Sequence, residues 1–499
     1  MRLYNTILSI VAFIALVAFC GCERASEIRY DIAVSDVDCT HEEQTLTISY
    51  MLHEAVDITN ISVSAACDAD WVTIVNTSEI GCIEVHVDEN FGDKRKATIT
   101  LSAPSHSKAK IELCQWNKAP ETAKHTLIYY FFGTSLSRYF RNNLEDAAEA
   151  IETGILGNNN RVVFFRQVGT NSGYIGELYY DITSRECIER RIEDITLSNS
   201  VISPEEIGER IAKMAKIAPA ERYGIVIAGH GQGWITRELL KRGSDISAYS
   251  FGNNNPWIPA AGAEITRAIG EDNVRANIDE LAKGIEYSGV ELDYILFDAC
   301  FMSNIEAIYE LRNSANYIIA SPCEIMGNGF PYHRTLPYLF ANYGETTDYV
   351  GAAKSYYEFY RNEFIGIQRS GSVALFDCSQ IETLADATSE VMKSAKSVYD
   401  ATQLQVYEGN SPHFFYDFGQ WVNVVATDDA ALARFNAAMS ECIIATYTLD
   451  SYYTAYGSYG IQPIDLDVYT GVTTSAPSTA YPNGWRETNW YKDVIGLEN

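Results

Sequence analysis

Basic residues are scarce in this chain: 37 lysines and arginines stand against 66 aspartates and glutamates, giving a formal net charge of −29. Such an excess of negative charge repels nucleic acids and anionic lipid head groups, which excludes a nucleic-acid partner. The charge is interpreted chiefly as a contribution to solubility. Low-complexity tracts and internal repeats are also absent, so the 499 residues are expected to form roughly two to four globular domains.

The chain lacks an apolar run long enough to span a bilayer. Its most apolar stretch, residues 7–19, follows Arg2 and has the length of the core of a signal peptide. Gly21 before Cys22 resembles a bacterial lipobox, although Phe19 stands where an aliphatic residue is usual. The alternative is an ordinary cleaved signal peptide.

The lipobox interpretation divides the N-terminus into two segments. Residues 1–21 are the predicted signal peptide, and residues 22–30 are a short tether that begins at the lipid-modified Cys22. The protein would then be exported to the bacterial cell envelope as an outer-membrane lipoprotein, on the periplasmic or the surface face. It would contact the membrane through its lipid anchor only.

Metal-binding patterns are missing as well, because no two cysteines have C-x-x-C spacing among the eleven in the chain. Exported proteins meet an oxidising compartment, so some cysteines can pair. Apart from Cys20 and Cys22, nine cysteines remain, and four of these fall in the N-terminal β-rich stretch and allow up to two disulfides, whose pairing the sequence leaves open. These four are Cys39, Cys67, Cys82 and Cys114.

Residues 31–117 alternate between apolar and polar side chains with a period of two, which predicts a small β-sandwich. The segment resembles a BACON-type domain, an immunoglobulin-like module of exported bacterial enzymes. The resemblance implies either a spacer or a glycan-binding module. It is carried by the residues 71–74 (Trp-Val-Thr-Ile), Asn90, 94–101 (Lys-Arg-Lys-Ala-Thr-Ile-Thr-Leu) and 115–116 (Gln-Trp).

After a linker at 117–124, apolar strands alternate with helical patterns. This alternation predicts an α/β fold with a mostly parallel sheet and helices on both faces. Ser203-Pro-Glu-Glu206 is typical of a capping box at the start of a helix. The predicted helices cover residues 136–155, 203–217, 276–287, 301–312, 349–364, 381–399 and 430–448.

Two of the apolar strands end abruptly at chemically useful side chains. Residues 223–228 are followed by Gly-His230-Gly, and residues 294–297 are followed by Asp298-Ala-Cys300. Open α/β sheets place their sites beyond the carboxyl ends of such strands. We therefore expect His230 and Cys300 to meet at one edge of the sheet, as a pair capable of nucleophilic catalysis.

The neighbouring residues suggest how this pair would work. Cys300 would begin the helix at 301–312, where free backbone amides stabilise a thiolate. The backbone amides of Gly231 and Cys300 could form an oxyanion hole. Asp298 lies two residues before Cys300 and hence on the same face, where its carboxylate could contact a substrate.

Two other interpretations of the glycine-rich segment 229–233 fail. A serine hydrolase needs a Gly-x-Ser-x-Gly elbow, which the sequence does not contain. A dinucleotide site needs a different glycine spacing, and His230 would obstruct the pyrophosphate.

The order of apolar block, His-Gly, spacer, apolar block and Ala-Cys resembles the caspase-like cysteine peptidases of clan CD, and within that clan the clostripain family. Cys300 is followed by an apolar pair and a segment that carries Glu306, as in that family. Residues 317–321 are similar to its next strand. Residues 324–332 are similar to its Glu-x-x-Gly-x-Gly-aromatic-Pro-Tyr loop.

The resemblance implies an endopeptidase that cleaves proteins or peptides with a His230/Cys300 dyad. Its catalytic domain would span residues 125–400, and residues 401–499 would be a C-terminal extension of it. His230 would protonate the leaving amine while Cys300 forms the acyl-enzyme. The family needs no cofactor, although calcium often acts as an activator.

The same resemblance bears on specificity and maturation. Members typically cleave after Arg or Lys with acidic residues in the S1 pocket, and Asp298 occupies one such position. Asn328 stands between the two loop glycines, where basic-specific members often carry an acid, which weakens the charge of the pocket. Some members mature by self-cleavage between the His and Cys segments, where Lys241 and Arg242 are candidates.

A different class of function remains as the alternative: a non-catalytic surface lipoprotein that binds glycans or proteins on a peptidase-like fold. The intact His230, Cys300 and Asp298 argue against it. A thiol-alkylating probe distinguishes the two hypotheses, because only an activated cysteine reacts quickly near neutral pH.

Overall fold

The computed structural model describes residues 29–53, 61–153, 159–182, 184–198, 202–236, 269–270, 275–340, 347–455, 461–478 and 480–496. The chain divides into two compact units, one ending at Asn117 and the other beginning at Lys118. The predicted signal peptide, Cys22, Lys241 and Arg242 lie outside the described residues. None of the described helices is both long enough and apolar enough to cross a membrane.

The first unit is all β, as its period-two pattern predicts. One sheet has the strand order β1-β3-β6-β5 and the other β2-β8-β7-β4. Ile83 and Val85 of one sheet share a core with Ile99 and Leu113 of the other. The strands are β1 (Ile32–Val34), β2 (Val37–Cys39), β3 (Gln44–Leu52), β4 (Ser64–Cys67), β5 (Val72–Asn76), β6 (Cys82–Val87), β7 (Arg95–Ser102) and β8 (Ala109–Gln115).

The four cysteines of this unit are free thiols, so the disulfides that the sequence allows are not formed. Cys39 and Cys114 are buried on the neighbouring strands β2 and β8. Burial raises the pKa of both thiols, to about 12 for Cys39 and about 11 for Cys114. Both side chains therefore act as small apolar core residues.

A nine-stranded sheet organises the second unit. The central strands β10-β9-β13-β14-β15 run parallel, and two antiparallel strands extend the sheet on each side. The predicted α/β class is confirmed. The nine strands of this sheet are β9 (Ala123–Phe131), β10 (Asn160–Gly169), β11 (Ser172–Asp181), β12 (Glu186–Thr196), β13 (Ala220–Ala228), β14 (Leu292–Asp298), β15 (Tyr317–Ala320), β16 (Ser372–Asp377) and β18 (Ile443–Thr448). Four further strands form two separate two-stranded sheets, in which β17 (Tyr416–Asp417) pairs with β21 (Thr473–Thr474) and β19 (Ser451–Thr454) pairs with β20 (Gln462–Asp465).

Helices cover both faces of this sheet. Side chains alternate along β9, so that Ile128 and Tyr130 enter one core while Leu127 and Tyr129 enter the other. Helices α2, α3, α4, α7, α8 and α9 bury side chains in the first core, and α1, α5 and α6 in the second. The helices are α1 (Ser137–Glu152), α2 (Pro204–Ile217), α3 (Ile278–Ser288), α4 (Ile305–Glu310), α5 (Tyr332–Leu339), α6 (Tyr349–Glu363), α7 (Ile381–Met392), α8 (Phe418–Val425), α9 (Asp429–Cys442) and α10 (Pro482–Trp485).

Helix α2 begins as its sequence predicts. The hydroxyl of Ser203 accepts a hydrogen bond from the Glu206 N–H at 3.2 Å, and the Glu206 carboxylate accepts one from the Ser203 N–H at 3.0 Å. Each residue thereby satisfies a backbone donor that the first helical turn leaves open.

Three predicted helices are clearly shorter than expected. The helix predicted over 301–312 is reduced to Ile305–Glu310. The helix predicted over 430–448 ends at Cys442, and residues 443–448 form strand β18 against β16. These residues include two isoleucines and two threonines, whose β-branched side chains favour a strand once an edge is available. The helix predicted over 381–399 ends at Met392.

Candidate active site

The two sequence motifs lie at the ends of neighbouring parallel strands. Strand β13 ends at Ala228, which is in register with Asp298 at the end of β14. The N–H of Gly229 donates a hydrogen bond to the backbone carbonyl of Asp298 at 3.2 Å. The segments that carry His230 and Cys300 therefore leave the sheet side by side at its carboxyl edge.

Gly231 lets the two segments make direct backbone contact. A Cβ atom at this position would lie 2.5 Å from the carbonyl oxygen of Cys300 and 3.0 Å from its nitrogen. Real Cβ atoms do not approach backbone so closely, so only glycine fits. The amides of Gly231 and Cys300, predicted to bind an oxyanion, consequently belong to two chain segments in van der Waals contact.

His230 is held by a residue that the sequence motifs do not reveal. Its Nε2 atom lies 3.1 Å from the hydroxyl oxygen of Ser135, which follows the end of β9. Strand β9 is the other neighbour of β13 in the sheet. The sequence does contain a signal for this contact, because β9 is a third apolar strand and Gly133-Thr134-Ser135 follow it at the same edge of the sheet.

Cys300 does not begin a helix, contrary to the sequence prediction. Phe301 has a left-handed backbone with φ of 58°, and helix α4 begins at Ile305 with Asn304 as its N-cap. The side chain of Asn304 accepts a hydrogen bond from the Ala307 N–H, which shifts the helix start beyond the cysteine. A helix N-terminus therefore does not stabilise a thiolate at Cys300.

The thiol of Cys300 contacts the segment that follows the next strand. Its Sγ accepts a hydrogen bond from the Ile325 N–H at 3.3 Å and lies 3.6 Å from the Ile325 carbonyl oxygen. Burial raises the pKa of this thiol well above its ordinary value, and the negative charge of Glu324 adds to the rise. The raised pKa favours the neutral thiol over the thiolate.

The carboxylate of Asp298 is buried beneath the 324–332 loop. Its Oδ2 accepts hydrogen bonds from the Tyr332 hydroxyl at 2.8 Å and the Phe330 N–H at 3.3 Å. Burial raises the pKa of Asp298 to about 6, while these two donors lower it. Asp298 thus anchors the loop, and its charge changes within the range of ordinary assay buffers.

Asn328 lies in the same loop, which neighbouring helices hold in place. Its backbone carbonyl accepts a hydrogen bond from Asn143 Nδ2 of α1 at 3.1 Å. The carbonyl of Gly329 accepts one from the Tyr360 hydroxyl of α6 at 2.7 Å. The loop that the resemblance assigns to substrate selection is therefore fixed from three sides, by α1, α6 and Asp298.

No group of three or more His, Cys, Asp and Glu side chains with the geometry of a metal site occurs in the part of the chain that the structure describes. Calcium activation stays a prediction.

Comparison with known proteins identifies the family of this chain. Residues 129–413, which contain both His230 and Cys300, match the model of the clostripain family. The match spans more than half of the chain, and the chain belongs to the clostripain family of cysteine peptidases. It is a cysteine endopeptidase. A comparison with curated proteins found no match.

Solved structures of the same family share the fold. A secreted C11 cysteine protease from Bacteroides thetaiotaomicron, iotapain, is 27% identical with a TM-score of 0.64, over 75% of this chain and 99% of that one. An inactive zymogen C11 protease from Parabacteroides distasonis is 26% identical with a TM-score of 0.60, over 75% of this chain and 99% of that one.

Proposed function

We propose that this cysteine peptidase hydrolyses peptide bonds with His230 and Cys300 as its catalytic dyad. The observation that carries the proposal is the close approach of Gly231 to Cys300, where a Cβ on the glycine would lie only 2.5 Å from the carbonyl oxygen. This contact joins the segments after two neighbouring parallel strands, where α/β sheets place their sites. A nucleophile and a proton carrier then share one edge of the sheet.

The reaction begins from a neutral thiol in our proposal. As Cys300 Sγ attacks the scissile carbonyl carbon and forms the C–S bond, the thiol proton moves to His230. His230 gives that proton to the leaving amine as the C–N bond breaks. Water then adds to the thioester, the C–S bond breaks, and the proton that His230 takes from water returns to the sulfur. The raised pKa of Cys300 supports this order, because it disfavours a preformed thiolate.

Two further groups have assigned tasks in this proposal. The amides of Gly231 and Cys300 bind the oxygen that becomes negative during the attack, and such donors are among the largest contributors to acyl transfer. Ser135 orients the imidazole of His230 through the contact at Nε2. We assign the proton transfer with Cys300 to Nδ1, the ring nitrogen that is not the one in contact with Ser135.

We infer a preference for Arg or Lys before the scissile bond. The supporting observation is Asp298, a carboxylate two residues from the nucleophile whose two hydrogen bonds from described residues both go to Oδ2. Asn328 contributes no second negative charge, so a single carboxylate would bind the cation, more weakly than a pair.

The natural substrates in this proposal are proteins or peptides outside the cytoplasm. The relative from Bacteroides thetaiotaomicron is a secreted protease. Export through residues 1–21 and lipid attachment at Cys22 would hold the enzyme at the cell envelope. Labelling of whole cells with a radioactive fatty acid, with Cys22→Ser as control, tests the anchor.

We further propose that cleavage at Lys241-Arg242 activates the enzyme and that calcium stimulates it. The relative from Parabacteroides distasonis is known as an inactive zymogen. The β-sandwich would act as a spacer. Binding of residues 29–117 to a glycan array would instead identify it as a glycan-binding module.

The decisive assay uses the chain from Glu23, before and after nicking with trypsin and with or without calcium. Fluorogenic peptides carry Arg, Lys, Asn, Asp or Leu before the scissile bond. Cys300→Ala should abolish cleavage, whereas Cys378→Ala, which removes another buried thiol, should retain it. Equal loss in both variants would refute the assignment of the nucleophile. A nicked wild-type chain that cleaves none of the peptides would favour the binding-protein alternative.

A further inference from the structure

We propose that residues 471–478 together with Trp485, the C-terminal segment, form a positioning element that fixes the His230 and Cys300 segments relative to each other. Its connections run through Glu306 and Trp234. The inference rests on the dyad proposed above and adds residues that touch neither the substrate nor the reacting atoms. All of its contacts lie within the second unit.

The first connection is made on the Cys300 side by a buried carboxylate. Glu306 lies on α4, six residues after Cys300, and is 2% exposed. Its Oε1 accepts hydrogen bonds from the Thr474 hydroxyl at 2.8 Å, the Ser475 N–H at 2.9 Å and Trp485 Nε1 at 2.8 Å. Three donors on one buried oxygen fix the segment firmly to the start of α4.

The residues between Cys300 and α4 are bonded to the same segment. The Ser303 hydroxyl donates to the Gly471 carbonyl at 2.5 Å, and the Thr473 N–H donates to the Ser303 carbonyl at 2.9 Å. Asn304 Nδ2 lies 3.4 Å from the Thr473 hydroxyl oxygen. The chain that leaves Cys300 is thus bonded to this segment at residues 303, 304 and 306.

The second connection is made on the His230 side. Trp234 lies four residues after His230, and its indole N–H donates to the Ser475 hydroxyl oxygen at 2.7 Å. Both side chains are buried. Ser475 consequently bonds the two sides at once, through its hydroxyl to Trp234 and through its N–H to Glu306.

The two catalytic segments also touch directly at Gly233, but without a side chain on the His230 side. Gly233 has φ of +55°, and a Cβ there would lie 3.1 Å from the side chain of Asn304. Beyond this contact, hydrogen bonds connect the two segments through Ser475, which bonds Trp234 on the His230 side and Glu306 on the Cys300 side. Removing this connection should let the imidazole and the thiol shift relative to each other, and small misplacements of reacting groups lower turnover strongly.

A purely structural role makes a different prediction. A segment that only fills the core would change stability when altered and leave turnover intact. A positioning element instead changes kcat and the reactivity of the thiol, while substrate affinity stays the same.

The test compares Trp234→Phe with Trp421→Phe in the chain from Glu23. Both substitutions remove a buried indole N–H and keep an aromatic ring; Trp421 donates to the Tyr399 hydroxyl at 3.0 Å, away from both catalytic segments. We would measure kcat, KM, the unfolding midpoint, and the pH profile of Cys300 alkylation by iodoacetamide. Alkylation is quantified from the mass of the modified peptide, so it requires no turnover.

We expect Trp234→Phe to lower kcat about fivefold and to shift the alkylation profile, with KM changed by less than about twofold. Trp421→Phe should lower the unfolding midpoint similarly and leave kcat and alkylation near wild type. Ser475→Ala should reproduce the effect of Trp234→Phe, and the double variant should lose no more than either, because both remove one hydrogen bond.

The inference is overturned if Trp234→Phe and Trp421→Phe give the same kcat and the same alkylation profile. Should Trp234→Phe not fold, Ser475→Ala, the smaller change, decides by the same criteria. A wrong assignment of the catalytic dyad would give a different result, because Cys300→Ala would then retain activity whatever the activity of Trp234→Phe.

Discussion

Replacing Asp298 by Asn should stabilise the protein and should remove the proposed preference for basic substrates. Burial raises the pKa of this carboxyl from 3.8 to about 6. In the unfolded chain the group ionises near its ordinary value, so folding at neutral pH includes the cost of burying a charge. At 1.36 kcal/mol for each pH unit, that cost is about 3 kcal/mol above pH 7.

The direction in which stability changes with pH follows from proton binding to Asp298. Because the folded-state pKa is the higher one, the contribution of Asp298 to stability is fully present below its unfolded pKa and is lost as pH rises through about 6. Asn keeps an acceptor for the Tyr332 hydroxyl and the Phe330 N–H but bears no charge. Urea unfolding should therefore show Asp298→Asn to be more stable by about 3 kcal/mol at pH 8 and by roughly half as much at pH 5.

The activity assay uses the ratio of kcat/KM for an Arg substrate to kcat/KM for a norleucine substrate. Titration of the dyad changes both values equally with pH, so its effect cancels in the ratio. In the wild type this ratio should fall about tenfold from pH 7 to pH 5, as Asp298 becomes protonated. Tyr332→Phe should move the midpoint to higher pH, because the hydroxyl lowers the pKa of Asp298. A ratio that stays flat in the wild type, together with no gain in stability for Asp298→Asn, would refute the reasoning.

Three further predictions concern the site itself. Ser135→Ala should lower kcat about fivefold at unchanged KM, because the His230 ring loses the contact at Nε2; an unchanged kcat in steady-state assays would exclude an orienting role. Gly231→Ala should abolish activity, because its Cβ would lie 2.5 Å from the Cys300 carbonyl oxygen. The control Gly92→Ala should change neither peptide cleavage nor thermal unfolding, because the atom nearest to its Cβ would be 3.7 Å away. Alkylation of Cys300 by iodoacetamide should accelerate about tenfold for each pH unit from 7 to 9, as expected for a thiol of raised pKa; a plateau near pH 7 would instead indicate a thiolate paired with His230. Because a thiol of raised pKa reacts slowly at neutral pH, peptide cleavage rather than alkylation at pH 7 distinguishes the peptidase from the binding protein.

The parts that sequence patterns predicted are those fixed by local chemistry. Strand β15 (Tyr317–Ala320) lies within the segment 317–321, where the resemblance implies the next strand, and the Ser203 capping box forms because its partners are three residues apart. The meeting of the His230 and Cys300 segments was also predictable, since carboxyl ends of neighbouring parallel strands share one edge.

Contacts over long sequence separations were not predictable. Ser135 reaches His230 across 95 residues, and Trp485 reaches Glu306 across 179. The start of α4 was missed for a local reason: Asn304 competes as an N-cap, and Phe301 adopts a left-handed conformation that its side chain gives no reason to expect. Strand β18 was missed because a strand edge must exist before β-branched residues can pair with it.

The strand order has a consequence for how the enzyme can be divided. The strands on one side of the boundary between β13 and β14 all come from residues before 229, and those on the other side all come from residues after 291. Each half of the sheet supplies one member of the proposed dyad, and backbone hydrogen bonds join the halves along six residue pairs. Two separately expressed fragments, cut between these strands, should therefore be inert alone and regain activity on mixing, which would make the fold a split-protein reporter of proximity.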